Sequence, residues 1–234
     1  MLAAVMDMHK PPYVVTFCLF AVFVALVTAA APQPAPAWQA PPNDTPLTKL
    51  TFVAFDTETT GFGAKQNRIV EIGAVKFKDG EEIAEKTWLI NPERPIPYWA
   101  NRVHGIDDKM VADSPTFAEV YPEFLAFIGD SVLIAHNARF DVDFMHASIE
   151  RAGLQHAENP VIDSLRLFRA WFPDADSHSL EPLSADLGLA GDVYHRATDD
   201  SRYIFLIMDH WLRKHGNATT YGKLLKDAGE TLQF

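Results

Sequence analysis

At 234 residues with 48% hydrophobic side chains, the chain is long enough to bury one sizeable core with appendages, but not two full domains. Its formal charge of −11 excludes broad electrostatic wrapping of duplex nucleic acid, which needs many Lys and Arg on phosphates, and leaves open a strand end engaged through divalent cations. The sole cysteine, Cys18, lies in an apolar run, so the rest of the chain forms neither an intrachain disulfide nor a cysteine-based zinc site.

Residues 1–31 read as a signal peptide or membrane anchor. Tyr13 to Ala31 is uncharged and apolar, Lys10 precedes it, and Thr28, Ala29 and Ala30 offer small residues for cleavage after Ala30. The same run approaches the roughly 20 residues that span a bilayer, which would attach the chain to a membrane. A third reading is a misassigned start, although no methionine stands between Met8 and Met110. The first two place the protein outside the cytoplasm (periplasmic or secreted) or on a membrane, and the third in the cytoplasm. Residues 32–48 are Pro-rich and aperiodic, a semi-extended linker.

The main domain is expected over residues 49–215. Leu50 to Asp56, Ile69 to Phe77 and Glu82 to Ile90 predict three strands in an antiparallel meander, separated by the TTGFGAKQN and KDG turn signals. Thr116 to Ile128 repeats apolar residues at helical spacing, and Ser131 to Ala135 predicts a short buried strand. Helices are predicted over Asp141 to Arg151, Leu165 to Trp171, Leu180 to Leu187 and Ala197 to Lys214. This order implies an α/β fold with a mixed sheet flanked by helices. Residues 216–234 form a tail predicted to hold a short accessory helix.

Three segments carry candidate chemistry. In FDTETTG, Asp56 and Glu58 stand two apart at a strand end, so both carboxylates project to one side; alone, such a pair is commonly solvated turn chemistry. In HNARFD, Asp141 follows the SVLIA strand, where it would either join that pair or simply cap a helix. In YHRATDDS, His195 precedes the longest helix. Counting from Asp200, offsets of four, seven, eight and eleven reach Ile204, Ile207, Met208 and Trp211, an inward stripe, so Asp200 is expected to face the sheet. Asp199 is expected to complement the helix dipole instead. Four converging carboxylates would repel one another unless cations joined them, and oxygen-only ligands suit two Mg²⁺ or Mn²⁺ ions. Two such ions serve in-line phosphodiester hydrolysis. A neutral His195 imidazole would take the proton of the attacking water.

Together these motifs resemble the DEDDh 3′→5′ exonucleases, a family that includes the proofreading epsilon subunit of bacterial DNA polymerase III and ribonuclease T. RIVEIGAV, the VHGI at Val103 to Ile106, and HSLEPL also look like its connecting segments, and the resemblance spans about residues 50 to 214. The tyrosine branch of the superfamily would need an aspartate where Thr198 stands four residues after Tyr194, so the histidine branch is favoured. The resemblance implies a ribonuclease H-like fold, with Asp56, Glu58, Asp141 and Asp200 as metal ligands and His195 as base. It further implies that Thr59, His104, Asn137 and Phe140 line a terminal-nucleotide pocket.

The expected activity is removal of nucleoside 5′-monophosphates from single-stranded DNA or RNA 3′ ends, with DNA slightly favoured. Arg139, Arg166, Arg169, Arg196 and Arg202 are candidates for steering phosphates. The competing reading is a non-catalytic module of the same fold that binds nucleic acid or a protein. An exported copy would degrade extracellular or periplasmic nucleic acid rather than proofread.

Overall fold

The three leading β-rich runs form the expected meander: β1 (Phe52–Thr59), β2 (Ile69–Lys78) and β3 (Glu81–Leu89) pair antiparallel in sequence order. Asp79 and Gly80, both at positive φ, make the two-residue turn between β2 and β3 that matches strand twist. In this computed structural model, residues 38–189, 196–215 and 218–234 are described. The leader reading of residues 13–31 therefore lies outside the described residues, as does His195. Among the described residues, no helix is long and apolar enough to cross a membrane.

Two further strands, β4 (Val132–Ala135) and β5 (Val161–Asp163), add in parallel to the other edge of β1, so the sheet order is β3-β2-β1-β4-β5. β5 has no counterpart in the sequence reading, because three residues are too few to show a period. α1 (Tyr98–His104), which buries only Ala100 and His104 and so shows no apolar stripe, has none either, nor does the single turn α2 (Asp108–Val111), almost as short as β5. The remaining helices are α3 (Phe117–Ile128), α4 (Arg139–Ala152), α5 (Ser164–Trp171), α6 (Leu180–Asp186), α7 (Ala197–His215) and α8 (Tyr221–Ala228).

Alternation along β1 divides the core in two. Phe52 and Ala54 face a cluster that includes Val75, Phe77 and α7's Ile204, Ile207 and Met208; Val53 and Phe55 face α3 and α4 through Phe124, Phe144 and Met145. Continued by the same period of two, Asp56 and Glu58 fall on the α7 side and Thr57 on the α4 side. The tail joins both cores: Tyr221 and Leu224 of α8 pack with the α7 cluster, and Phe234 meets Phe55 edge-on at 5.8 Å.

Candidate active site

β1 runs three residues past its predicted end, so Glu58 sits within the strand, directly opposite Glu71 of β2. On the facing side, α7 begins at Ala197, which puts Asp200 in its first turn over the sheet. Carboxylate oxygens of Asp56, Glu58 and Asp200 all lie within 4.8 Å of one another. The helical phase had predicted Asp200 rather than Asp199 for this role. Asp199 instead accepts from Arg202 Nη1 at 3.0 Å.

Asp141 arrives from the opposite face. α4 starts two residues earlier than predicted, so Asp141 lies inside the first turn, and it is almost fully buried. Parallel pairing of β1 with β4 ends at Ala54, which leaves the Thr57 amide beyond the ladder. Asp141 Oδ1 takes that amide at 2.9 Å and the Thr57 hydroxyl at 2.7 Å. Asp141 thus stands beside Asp56, close enough to raise its pKa, but outside the set of three converging carboxylates.

Electrostatics at this cluster are unfavourable without a cation. Burial first, and then Asp141, Glu58, Asp200 and Glu71, hold the Asp56 carboxyl well above the usual carboxylate range. Burial, followed by Asp200, Glu71 and Asp141, pushes Glu58 up to about 8. Burial also raises Asp141, against the lowering effect of the Thr57 hydrogen bonds. A hard divalent cation reverses each of these penalties, and an all-oxygen donor set suits Mg²⁺ or Mn²⁺, so these residues fit the metal that their pattern implies.

The surroundings hold α7 at a fixed height over β2. Glu71, fully buried, accepts from Arg196 Nε at 3.2 Å and Nη2 at 2.5 Å and from the Ala197 amide at 3.0 Å. At Gly73 the helix backbone comes so close that a Cβ would lie 2.1 Å from Ala197 C and Thr198 N. Ser201 Oγ donates to the Gly73 carbonyl at 3.1 Å. Sequence reasoning missed both residues as site elements, although a glycine inside an apolar strand signals close backbone approach.

The four candidate pocket residues flank the carboxylates in two pairs. Thr59 Oγ1 donates to the Gly61 carbonyl at 2.8 Å, and His104, buried at the end of α1, interacts with the Thr59 backbone. His104 is more than a turn residue: its Nδ1 accepts from the Ile106 amide at 3.0 Å, so the proton sits on the buried Nε2, on the side of the Thr59 backbone. Asn137 adopts a left-handed φ of 56° in the turn from β4 into α4. Phe140 follows it, with its ring 4.9 Å from Phe144. Beside the first pair, Phe62 stacks on Trp99 at 5.4 Å although both rings are exposed, Phe62 by 83%; this aromatic pair was not singled out from sequence. Of the arginines considered for steering phosphates, Arg196 is held by Glu71, Arg202 by Glu82, Glu85 and Asp199, Arg166 by Asp163, and Arg139 stands 3.9 Å from Asp143.

Residues 53–208 match the profile of the RNase T family, described as an exonuclease. The chain is 42% identical over 151 residues to the PolC-type DNA polymerase III of Clostridium perfringens, a match covering 64% of this chain and 10% of that one. It is 40% identical over 185 residues to the Streptococcus suis protein, covering 77% and 13%. The chain therefore spans only about a tenth of the length of these relatives. Among solved structures it resembles exonuclease X in complex with 5′-overhanging duplex DNA, with a TM-score of 0.58 and 27% identity over 74% of this chain and 99% of that one. The zinc-bound complex of E. coli exonuclease I with single-stranded DNA shares the ribonuclease H-like α/β fold, with a TM-score of 0.64 and 17% identity over 72% and 42%.

Proposed function

The chain belongs to the RNase T family of DEDDh 3′→5′ exonucleases, and from that premise we propose that it removes nucleoside 5′-monophosphates from the 3′ ends of single-stranded nucleic acid, DNA in preference to RNA. The observation that carries this reading is the convergence of Asp56, Glu58 and Asp200 from β1 and α7 within 4.8 Å. Asp56, Glu58 and Asp200, with Asp141 beside them, would hold two Mg²⁺ or Mn²⁺ ions. Bound there, the ions would stabilise charge on the attacking and leaving oxygens of an in-line displacement.

The chain's own groups do the rest. His195, one residue before the Arg196 held by Glu71, would accept a proton from the attacking water as that water forms a bond to phosphorus. The bond from phosphorus to the 3′ oxygen breaks and that oxygen takes up a proton from solvent, leaving a 3′ hydroxyl on the shortened strand. Thr59, His104, Asn137 and Phe140 would hold the terminal nucleotide, His104 through its buried Nε2. The exposed Phe62–Trp99 stack supports a single-stranded substrate, because unpaired bases present faces to an aromatic platform. The DNA preference draws on relatives whose names and complexes involve DNA. If residues 13–31 act as a leader, they would place this activity outside the cytoplasm or at a membrane; a misassigned start would place it in the cytoplasm.

The test incubates the full chain with end-labelled DNA, RNA and duplex ends, with and without Mg²⁺ or Mn²⁺. Stepwise loss from the 3′ end only with metal, fastest on single-stranded DNA, supports the reading. Binding without shortening under every condition rejects it in favour of a non-catalytic module.

A further inference from the structure

In a chain of charge −11, three arginines that form no ion pair among the described residues gather beside the site. Arg68, Arg94 and Arg151 come from three separate stretches, the residue just before β2, the segment after β3 and the last turn of α4, and converge on the loop of residues 61–67. Each gives that loop one N–H: Arg68 Nη1 to the Asn67 carbonyl at 3.0 Å, Arg94 Nη1 to that of Gln66, and Arg151 Nη2 to that of Ala64 at 3.3 Å. A guanidinium carries five N–H donors, so most of this donor capacity is directed elsewhere. None of the three forms an ion pair among the described residues.

The three charges lie close enough to oppose one another. Burial, Arg68 and Arg94 together hold the Arg151 guanidinium below its ordinary pKa. Beside them opens a cleft of about 300 Å³ lined by Arg68, Ile90, Asn91, Thr116, Phe117 and Arg151. Glu93 also lines it but pairs with none of them. Like charges gathered next to a cleft, with only loop carbonyls as partners, are a destabilising arrangement that an anion would relieve.

Their location says which anion. Thr60 and Arg68 bond each other across the mouth of the loop, Thr60 N to the Arg68 carbonyl at 2.8 Å and Arg68 N to Thr60 Oγ1 at 3.0 Å. Arg68 is thus two residues beyond Glu58 on the same end of the sheet. Arg151 lies ten residues along α4 from Asp141, about 15 Å at the usual helical rise. Between them the loop carries the exposed Phe62 of the aromatic stack.

We infer that Arg68, Arg94 and Arg151 form a phosphate-binding track that grips the sugar–phosphate backbone of the substrate strand a few nucleotides upstream of the 3′ end held at Asp56 and Glu58. The inference rests on the exonuclease reading for its substrate. It explains how an acidic protein keeps hold of a polyanion: three guanidiniums gather at one place, and the guanidinium fork suits phosphate oxygens.

The test changes all three arginines to Gln, and separately all three to Lys, in the full chain with Mg²⁺ present. Binding is measured across a salt series with a fluorescent oligothymidylate of about fifteen nucleotides whose last linkage is a phosphorothioate, so that it resists degradation. Each lost phosphate contact on a single strand removes about 0.7 from the slope of log K against log salt. The Gln variant should therefore lose about 2 from that slope and bind about tenfold or more weakly, while the Lys variant keeps most of the slope. Turnover of a nucleoside 5′-(p-nitrophenyl phosphate), which has no upstream strand, should stay within about twofold of the parent. An unchanged slope in the Gln variant overturns the track, and so do Lys and Gln variants that behave alike, since the arginines would then only brace the loop. If the parent cleaves neither the nucleoside ester nor an unmodified oligonucleotide, the exonuclease reading fails, and the salt slopes still judge the track by themselves.

Discussion

Glu71 and Arg196 form the contact that ties the entry of α7 to the sheet: the carboxylate is fully buried and receives both Nε and Nη2 of the guanidinium. Opposite it on β1 stands Glu58, a like charge across the ladder. Arg196 offsets both, since it lies close enough to lower the Glu58 pKa as well. Removing the guanidinium with Arg196→Ala leaves a buried carboxylate short of its charge partner. We expect a loss of about 3 kcal/mol in chemical denaturation. Turnover should fall further than stability accounts for, because Asp200 and His195 flank the released segment. A variant as stable and active as the parent would show that this pair does not position α7.

Gly73 admits the α7 backbone where no side chain fits. A Cβ there would meet the peptide atoms of Ala197 and Thr198 at 2.1 Å, and backbone has no rotamer by which to move aside. Gly73→Ala should lift the first turn of α7, lower stability by about 2 kcal/mol or more and cut turnover by about a hundredfold. Thermal melts read against kcat check it. Equal loss of kcat in Ser201→Ala, which removes the Ser201 bond to the Gly73 carbonyl, would point to that hydrogen bond rather than to the close approach.

The raised carboxyl of Glu58 sets a pH dependence for the metal-free protein. In the folded state its pKa goes from the ordinary 4.5 up to about 8, chiefly through burial and then Asp200. Between those values the folded chain holds a proton that the unfolded chain has released, so stability falls as pH rises through this window. Melting temperatures in chelator should therefore drop from about pH 5 to about pH 8. Mg²⁺ binds the deprotonated carboxylates, so its stabilising effect should grow over the same range. A chelated protein whose melting temperature is flat or rises with pH would contradict this.

Asp56→Asn should separate function from stability. It removes one of several mutually repelling charges, so the metal-free protein at about pH 8 should gain roughly 1 to 3 kcal/mol. Nucleotide release should meanwhile fall by about a thousandfold or more, as the metal set loses a ligand. Retained activity in this variant would mean that the ligand assignment is wrong.

Phe62 and Trp99 are exposed, so truncating either should barely alter folding. Phe62→Ala should leave the melting temperature within about 2 °C of the parent. If a base stacks on this pair, KM for single-stranded oligonucleotides should rise about tenfold, in line with 1 to 3 kcal/mol for each stacked base. Unchanged KM with both rings removed would detach this aromatic pair from the substrate.

The sequence by itself determined on which side of its own element each candidate carboxylate lies. Alternation in FDTETTG set Asp56 and Glu58 on one face of β1, and the apolar stripe of α7 chose Asp200 over Asp199, because periodicity is a property of a single strand or helix. The meander was legible for the same reason, whereas β5 and α2 are too short to repeat a period and α1 buries only Ala100 and His104, which makes no apolar stripe. Tertiary structure alone decided what covers each face. Asp141 reaches Thr57 across 84 residues, and Arg196 reaches Glu71 across 125, contacts that no local pattern encodes. It also reassigned the cations: Arg196 and Arg202 proved to be held by carboxylates, while Arg68, Arg94 and Arg151, unremarkable in sequence, came together at one loop. A period states the direction a side chain takes from its own backbone, whereas its partner depends on how the sheet and helices are stacked.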